Sequence, residues 1–191
     1  MLNFIIKFVA KLMFKIKIYN KETLEQTTQP YIICANHISF WDSIILYLFL
    51  DKDIYFIGKQ ELFKNPILNK ILTNRNVIPI NREKPSLSTM KQCLNVLTSS
   101  KILGIFPQGT RNVPLSSENI KNGICFFAYS TNSPVIPIFI DADYKFRSNV
   151  NIFIGDPIYS EDKGNKKENF NYLSNEIYNS LINLKNKKEK Q

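Results

Sequence analysis

The chain has one histidine in 191 residues. A histidine-built metal cluster is therefore excluded, and a base titrating near neutrality has one natural source, His37. Cysteine is also scarce. Cys34, Cys93 and Cys125 lie far apart among apolar neighbours, with no C-x-x-C pair. Neither a zinc site nor a disulfide framework follows from such spacing, and a reducing compartment is expected. No run of about eighteen apolar residues occurs, so no spanning helix is expected. The longest internal run, residues 43–50, is far too short. The first residues do not read as a secretory signal, because lysines interrupt the apolar stretch and no small-residue cleavage site follows. Arginine forms no dense block and no nucleic-acid-binding motif is present, so nucleic acid is not an expected partner.

What is present is a hydrophobic fraction of 44% and a formal net charge of +9. The first suits one globular domain with a sizeable core. The second favours an anionic partner, such as acidic lipid, a phosphorylated substrate or an acidic carrier protein. Most lysines are scattered among asparagines and read as a solvated surface.

Residues 1–18 fit a helix. At about 100° per residue, Leu2, Ile5, Val9, Leu12, Met13 and Ile16 share one side, with Phe8 at its edge. Lys7, Lys11 and Lys15 fall opposite, with Phe4 and Phe14 intruding on the polar side. A basic amphipathic helix of this kind lies in a bilayer interface. An ordinary helix packed on the domain has the same periodicity.

Strands are expected at residues 31–35, 54–57, 77–80, 102–106, 135–140 and 150–154. Helices fall between them; Ser39 and Ser86 read as N-caps, and residues 119–129 as helical. A last amphipathic helix carries Phe170, Leu173, Ile177, Leu181 and Leu184. The alternation makes residues 19–185 a single domain of α/β or α+β class, followed by a polar tail at 186–191. Polar residues cluster just after three strand ends, at 36–42, 81–82 and 108–111. In open α/β sheets, ligands bind there.

Asp42 falls in the first turn of a helix, and His37 lies just before its cap. A fold-back there lets the carboxylate hold one ring nitrogen and leaves the other as a base. The same residues also read as a Ser39–Asp42 capping box beside a loop histidine. Cys34 is close enough to be considered as a nucleophile, but its apolar strand favours an inert buried thiol.

The segment Asn36-His37-Ile38-Ser39-Phe40-Trp41-Asp42 resembles N-H-x-x-x-x-D, the first motif of the glycerolipid acyltransferases. Further along, Lys59-Gln60-Glu61-Leu62-Phe63 resembles their lysine-containing segment, and Ile80-Asn81-Arg82 their second motif. Phe106-Pro107-Gln108-Gly109-Thr110-Arg111 resembles F-P-E-G-T-R, Lys121 and Gly123 the following K-x-G, and Val135-Ile136-Pro137-Ile138 the proline-containing motif. The resemblance runs from Tyr31 to Ile140, in order and spacing.

It implies an α/β fold with a mixed, mostly parallel sheet flanked by helices, as in glycerol-3-phosphate acyltransferases, preceded by the amphipathic helix. The implied reaction moves an acyl group from acyl-ACP or acyl-CoA, used as co-substrate, to the sn-2 hydroxyl of 1-acylglycerol-3-phosphate. The product is phosphatidic acid, and neither metal nor cofactor takes part. By the same resemblance His37 is the base and Asp42 orients it. Arg82, Arg111 and Lys59 hold the phosphate, while Gln108, Gly109 and Thr110 complete the acceptor site. Gly109 shapes the loop, and Pro137 has a structural role in the wall of the acyl site. The implied location is peripheral, on the cytoplasmic face of the membrane, with lysophosphatidic acid met in the leaflet. One residue departs from the pattern. Gln108 stands where the third motif has glutamate, keeping hydrogen-bond capacity but losing charge. That keeps open a different lyso-lipid acceptor. A non-catalytic membrane-binding relative is the other alternative, opposed by intact His37, Asp42, Arg82 and Arg111.

Overall fold

Tyr31-Ile32-Ile33-Cys34-Ala35 is apolar throughout, and all five residues are buried. Such a run suits a strand covered on both faces. In the computed structural model, which describes residues 2–81, 86–111, 113–121 and 123–188, it is a central strand of a seven-stranded sheet. The strands are β1 (Phe14–Tyr19), β2 (Tyr31–Ala35), β3 (Ile54–Lys59), β4 (Val77–Ile80), β5 (Ile102–Ile105), β6 (Val135–Ala142) and β7 (Ser148–Ile154). Their order across the sheet is β1-β7-β6-β2-β5-β3-β4. β6, β2, β5, β3 and β4 run parallel, β7 runs against β6, and β1 is parallel to β7. The sheet is thus mixed and mostly parallel, as the motifs implied.

Helices cover both faces. They are α1 (Leu2–Met13), α2 (Glu22–Gln26), α3 (Trp41–Phe49), α4 (Pro66–Thr73), α5 (Leu87–Thr98), α6 (Ser117–Lys121), α7 (Gly123–Thr131) and α8 (Lys166–Lys188). Tyr31, Ile33 and Ala35 join Ile45, Leu46 and Ala10 in one core, under α3 and α1. Ile32 and Cys34 point to the other face, among Leu97, Cys125 and Leu173 of α5, α7 and α8. The period of two along β2 divides the molecule into its two hydrophobic layers.

Several boundaries differ from the sequence reading: β3 runs on to Lys59, β5 stops at Ile105, β6 runs on to Ala142 and β7 begins at Ser148. The first helix ends at Met13 rather than residue 18, and Phe14–Tyr19 is a strand of the sheet. Phe-Lys-Ile-Lys-Ile-Tyr alternates with a period of two, which outweighs a helical phase that also suits Ile16. The 119–129 segment is two helices, α6 and α7. The tail begins later than 186, because α8 continues to Lys188. Among the described residues no helix is long and apolar enough to cross a membrane.

Candidate active site

The parallel arrangement brings the ends of β6, β2, β5, β3 and β4 to one edge of the sheet. The first motif leaves β2 there, the third leaves β5 and the second leaves β4. The four strands from β2 to β4 are consecutive neighbours, so the motifs line a single edge.

Asn36 begins the site. Its side-chain amide donates to the Ile140 carbonyl (2.9 Å) and accepts from the Ile140 N–H (2.6 Å) on β6. The buried amide thereby extends the ladder by one side chain and fixes the point at which the backbone leaves the strand.

His37 and Asp42 meet. Nδ1 of His37 lies 2.8 Å from Oδ2 of Asp42. The same oxygen accepts from the N–H groups of Ile38 (2.7 Å) and Ser39 (2.8 Å). Oδ1 accepts from the hydroxyl of Tyr144 at 2.6 Å. Asp42 is fully buried, and four donors occupy it. The Ser39–Asp42 capping box is only half formed: the carboxylate accepts from the Ser39 N–H while holding the imidazole, but the Asp42 N–H donates to the Ser39 carbonyl (3.2 Å) rather than to its hydroxyl. The helix itself starts at Trp41, with Phe40 in the cap position and Ser39 Oγ accepting from the Trp41 N–H at 3.3 Å. A carboxylate only accepts, so Nδ1 carries the hydrogen and the lone pair lies on Nε2. The His37 side chain is 15% exposed, so the ring is not fully sealed from solvent.

The imidazole lies flat on Phe106, with centroids 4.3 Å apart and planes at 22°. Phe106 in turn stacks on Phe56 at 5.6 Å. Gly104 makes room for this stack, because a Cβ there would sit 2.4 Å from the Phe56 ring. Sequence reasoning passed over Gly104, although a glycine inside a strand is a known mark of close approach.

The third motif turns back on the first. The Gly109 N–H donates to the Phe106 carbonyl at 3.0 Å, and Gly109 has a φ of +66°. That left-handed backbone is why glycine serves in the turn. Thr110 and Arg111 follow, both exposed. Gln108 accepts from the His37 N–H at 2.9 Å and donates to the Val113 carbonyl at 2.5 Å.

Lys59 ends β3, in register with Ile80 of β4, so it stands beside the start of the second motif. Its ammonium lies 3.7 Å from Glu61. Arg82 falls outside the described residues. Pro137 lies in the early half of β6, where its carbonyl accepts from Gly155 at 2.8 Å, away from the motif-bearing edge. Cys34 is buried mid-strand, and burial, reinforced by Cys125, pushes its thiol well above the usual range. It is an inert packing residue.

Tyr144 is the site residue that sequence reasoning missed. It lies in the loop beyond β6, at the same edge of the sheet. Burial, the Asp42 charge and the bond to Asp42 all push its phenol far above the ordinary tyrosine value. Its ring meets Phe14 edge-on at 5.4 Å, and Phe14 meets Trp41 edge-on at 5.3 Å. Its place just past a strand end was the available signal.

Comparison with known proteins agrees with this fold. The family model described as Acyltransferase matches residues 15–141. A 1-acyl-sn-glycerol-3-phosphate acyltransferase of Bacillus subtilis is 28% identical over 95% of this chain and 94% of its own length. One of Streptococcus pneumoniae is also 28% identical, over 87% of this chain and 64% of its own. The crystal structure of the 1-acyl-sn-glycerophosphate acyltransferase PlsC from Thermotoga maritima superposes with a TM-score of 0.68, covering 91% of this chain and 73% of that one at 22% identity. That last likeness is one of fold.

Proposed function

The chain belongs to the acyltransferase family, and from that membership we propose that it acylates the sn-2 hydroxyl of 1-acylglycerol-3-phosphate from a thioester donor, giving phosphatidic acid. The donor is acyl-carrier protein or coenzyme A. The observation that carries this reading is the 2.8 Å bond from His37 Nδ1 to the buried Asp42, at the end of β2, with Nε2 left as the base. The relatives named above supply the acceptor.

In the proposed reaction Nε2 takes the proton of the acceptor hydroxyl. The oxygen attacks the thioester carbonyl, and a tetrahedral oxyanion forms. As it collapses, the C–S bond breaks and the leaving thiolate takes the proton from His37. The imidazolium formed in between is stabilised by Asp42. Arg111, exposed beyond the Gly109 turn, supplies a fork suited to phosphate. Lys59 and Arg82 are the further phosphate contacts in this reading.

Membrane attachment through α1 belongs to the same proposal. Ile6, Ala10 and Met13 pack on the domain, whereas Phe4, Ile5, Phe8, Val9 and Leu12 face outward. Phe4 is 75% exposed and Phe8 61%. Such a patch is rare on a free monomer and common on a helix lying in a bilayer interface. Lys7 is turned away, to Asp51 at 3.1 Å, so little of the expected basic stripe remains on the helix. α1 leads into Phe14, which touches Trp41 and Tyr144 beside the site. Helix and active site share one edge, which suits an acceptor met in the cytoplasmic leaflet.

The test is an acylation assay with purified protein, labelled acyl-ACP and acyl-CoA, and a panel of lyso-lipids. Phosphatidic acid is the expected product, abolished by His37→Ala. Preference for another acceptor, or near wild-type rates in His37→Ala, would overturn the reading.

A further inference from the structure

We propose that Gln108 is a positioning residue, whose side-chain amide clips the third-motif loop to the backbone of His37 and so sets the imidazole. This departs from a role in holding acceptor hydroxyls, and it rests on the acyltransferase reading above.

Gln108 Oε1 accepts from the His37 N–H at 2.9 Å, while Nε2 donates to the Val113 carbonyl at 2.5 Å. A primary amide can do both at once, because it offers an acceptor at one end and donors at the other. His37 lies two residues past the end of β2, beyond the last strand pairing at Ala35. The glutamine supplies the acceptor that a neighbouring strand no longer provides. Phe106, two residues before Gln108, stacks on the imidazole. One loop thus grips His37 twice, by ring and by backbone. The bond to Val113 holds the far side of the same loop, so the segment carrying Thr110 and Arg111 is closed between two fixed points.

This gives Gln108 a meaning that its departure from the glutamate pattern alone does not. An ionised glutamate can accept from the His37 N–H, but it turns a second acceptor toward the Val113 carbonyl. Two facing acceptors repel. In this chain glutamine and loop are matched, and restoring the family residue should impair the enzyme.

The test uses the full chain as wild type, Gln108→Glu and Gln108→Ala, assayed with lysophosphatidic acid and a thioester donor. A positioning role lowers kcat about tenfold in both variants and moves the acceptor KM by less than about twofold. In Gln108→Glu, the kcat ratio to wild type should recover as pH falls from about 8 toward about 5, because a protonated glutamate can donate to Val113. A raised acceptor KM with kcat held, or a Gln108→Glu enzyme equal to wild type, overturns the proposal. A second readout is independent of activity. The chain has one histidine, so [15N]histidine labelling yields one backbone amide signal. Gln108→Ala should move that amide proton upfield and speed its exchange with solvent; an unmoved signal overturns the clip. If the wild type does not acylate lysophosphatidic acid, the functional reading falls, while the amide signal still decides the clip.

Discussion

Tyr144 donates its phenolic hydrogen to Oδ1 of Asp42 over 2.6 Å, joining residues 102 positions apart. The other carboxylate oxygen holds His37 and two backbone amides. Tyr144→Phe keeps the edge-on contact with Phe14 but leaves one oxygen of a buried carboxylate without its donor. Such a group costs about 1–3 kcal/mol. We expect kcat to fall about tenfold with the acceptor KM held, since the lost bond orients Asp42 rather than the substrate. Steady-state kinetics beside a thermal melt would check this. An unchanged kcat would reduce Tyr144 to packing.

That relationship marks where sequence reading stops. Six of the seven strands and the motif order were legible, because local spacing and alternation fix which strand each motif follows, while the His37–Asp42 pairing came only with the motif resemblance. Tyr144 was not, since no local pattern links it to a carboxylate at the other end of the sheet. The competing readings of Asp42 stayed open because its carboxylate takes both the Ser39 N–H and the imidazole. The extent of α1 was misread because Phe14–Tyr19 satisfies two periods, and only pairing with β7 selects the strand. Gln108 was visible as an amide, but its partners, His37 N–H and Val113 carbonyl, are set by tertiary folding.

Gly104→Ala should disturb the stack behind His37. The added methyl would meet Phe56 at 2.4 and 2.6 Å and Ile54 at 2.9 Å. Overpacking of this kind costs about 1–3 kcal/mol. Displacing Phe56 also removes the support of Phe106, so kcat should fall as well. Gly155→Ala is the contrast. Its Cβ would meet Pro137 at 2.8 Å, away from the site. It should lower the melting temperature and spare kcat. Equal kinetic losses in both variants would refute a specific role for the stack.

Arg111→Ala should raise the KM for the phosphorylated acceptor about tenfold and leave kcat nearly unchanged, as expected for loss of a charge-assisted contact. Comparison with an acceptor lacking the phosphate makes this specific, because the variant and wild type should then converge. A difference that persists without the phosphate would point to a role in loop shape.

Alkaline pH should unfold the protein through its buried tyrosines. Tyr31 is fully buried with no partner for its hydroxyl among the described residues, and burial pushes its pKa up to about 12. Tyr144 is pushed higher still. In the unfolded chain both ionise near the ordinary value of about 10. Above that pH the unfolded state binds fewer protons than the folded one, so stability falls as pH rises. The contribution is intact below about 10 and is lost progressively as pH climbs toward about 12. Melting temperatures from about pH 9 to about 12 should show this decline. Tyr31→Phe should flatten it while holding or raising the melting temperature at neutral pH, since it deletes an unsatisfied buried hydroxyl.

The outward face of α1 can be separated from its inward face by mutation. Phe4 and Phe8 are mostly exposed, so replacing both with serine removes little packing in the folded chain. Each phenyl buried in a bilayer interface contributes about 1.5–3 kcal/mol. The double variant should therefore move from the pellet to the supernatant in sedimentation with anionic vesicles, at a nearly unchanged melting temperature. Salt should release the wild type only weakly, because Lys7 is engaged with Asp51 and apolar contact carries the attachment. Ala10→Asp tests the other side. Ala10 is fully buried against the domain, so that change should lower the melting temperature. If Phe4→Ser/Phe8→Ser sediments like wild type, the exposed face is not the membrane contact, and α1 serves only to cover the sheet.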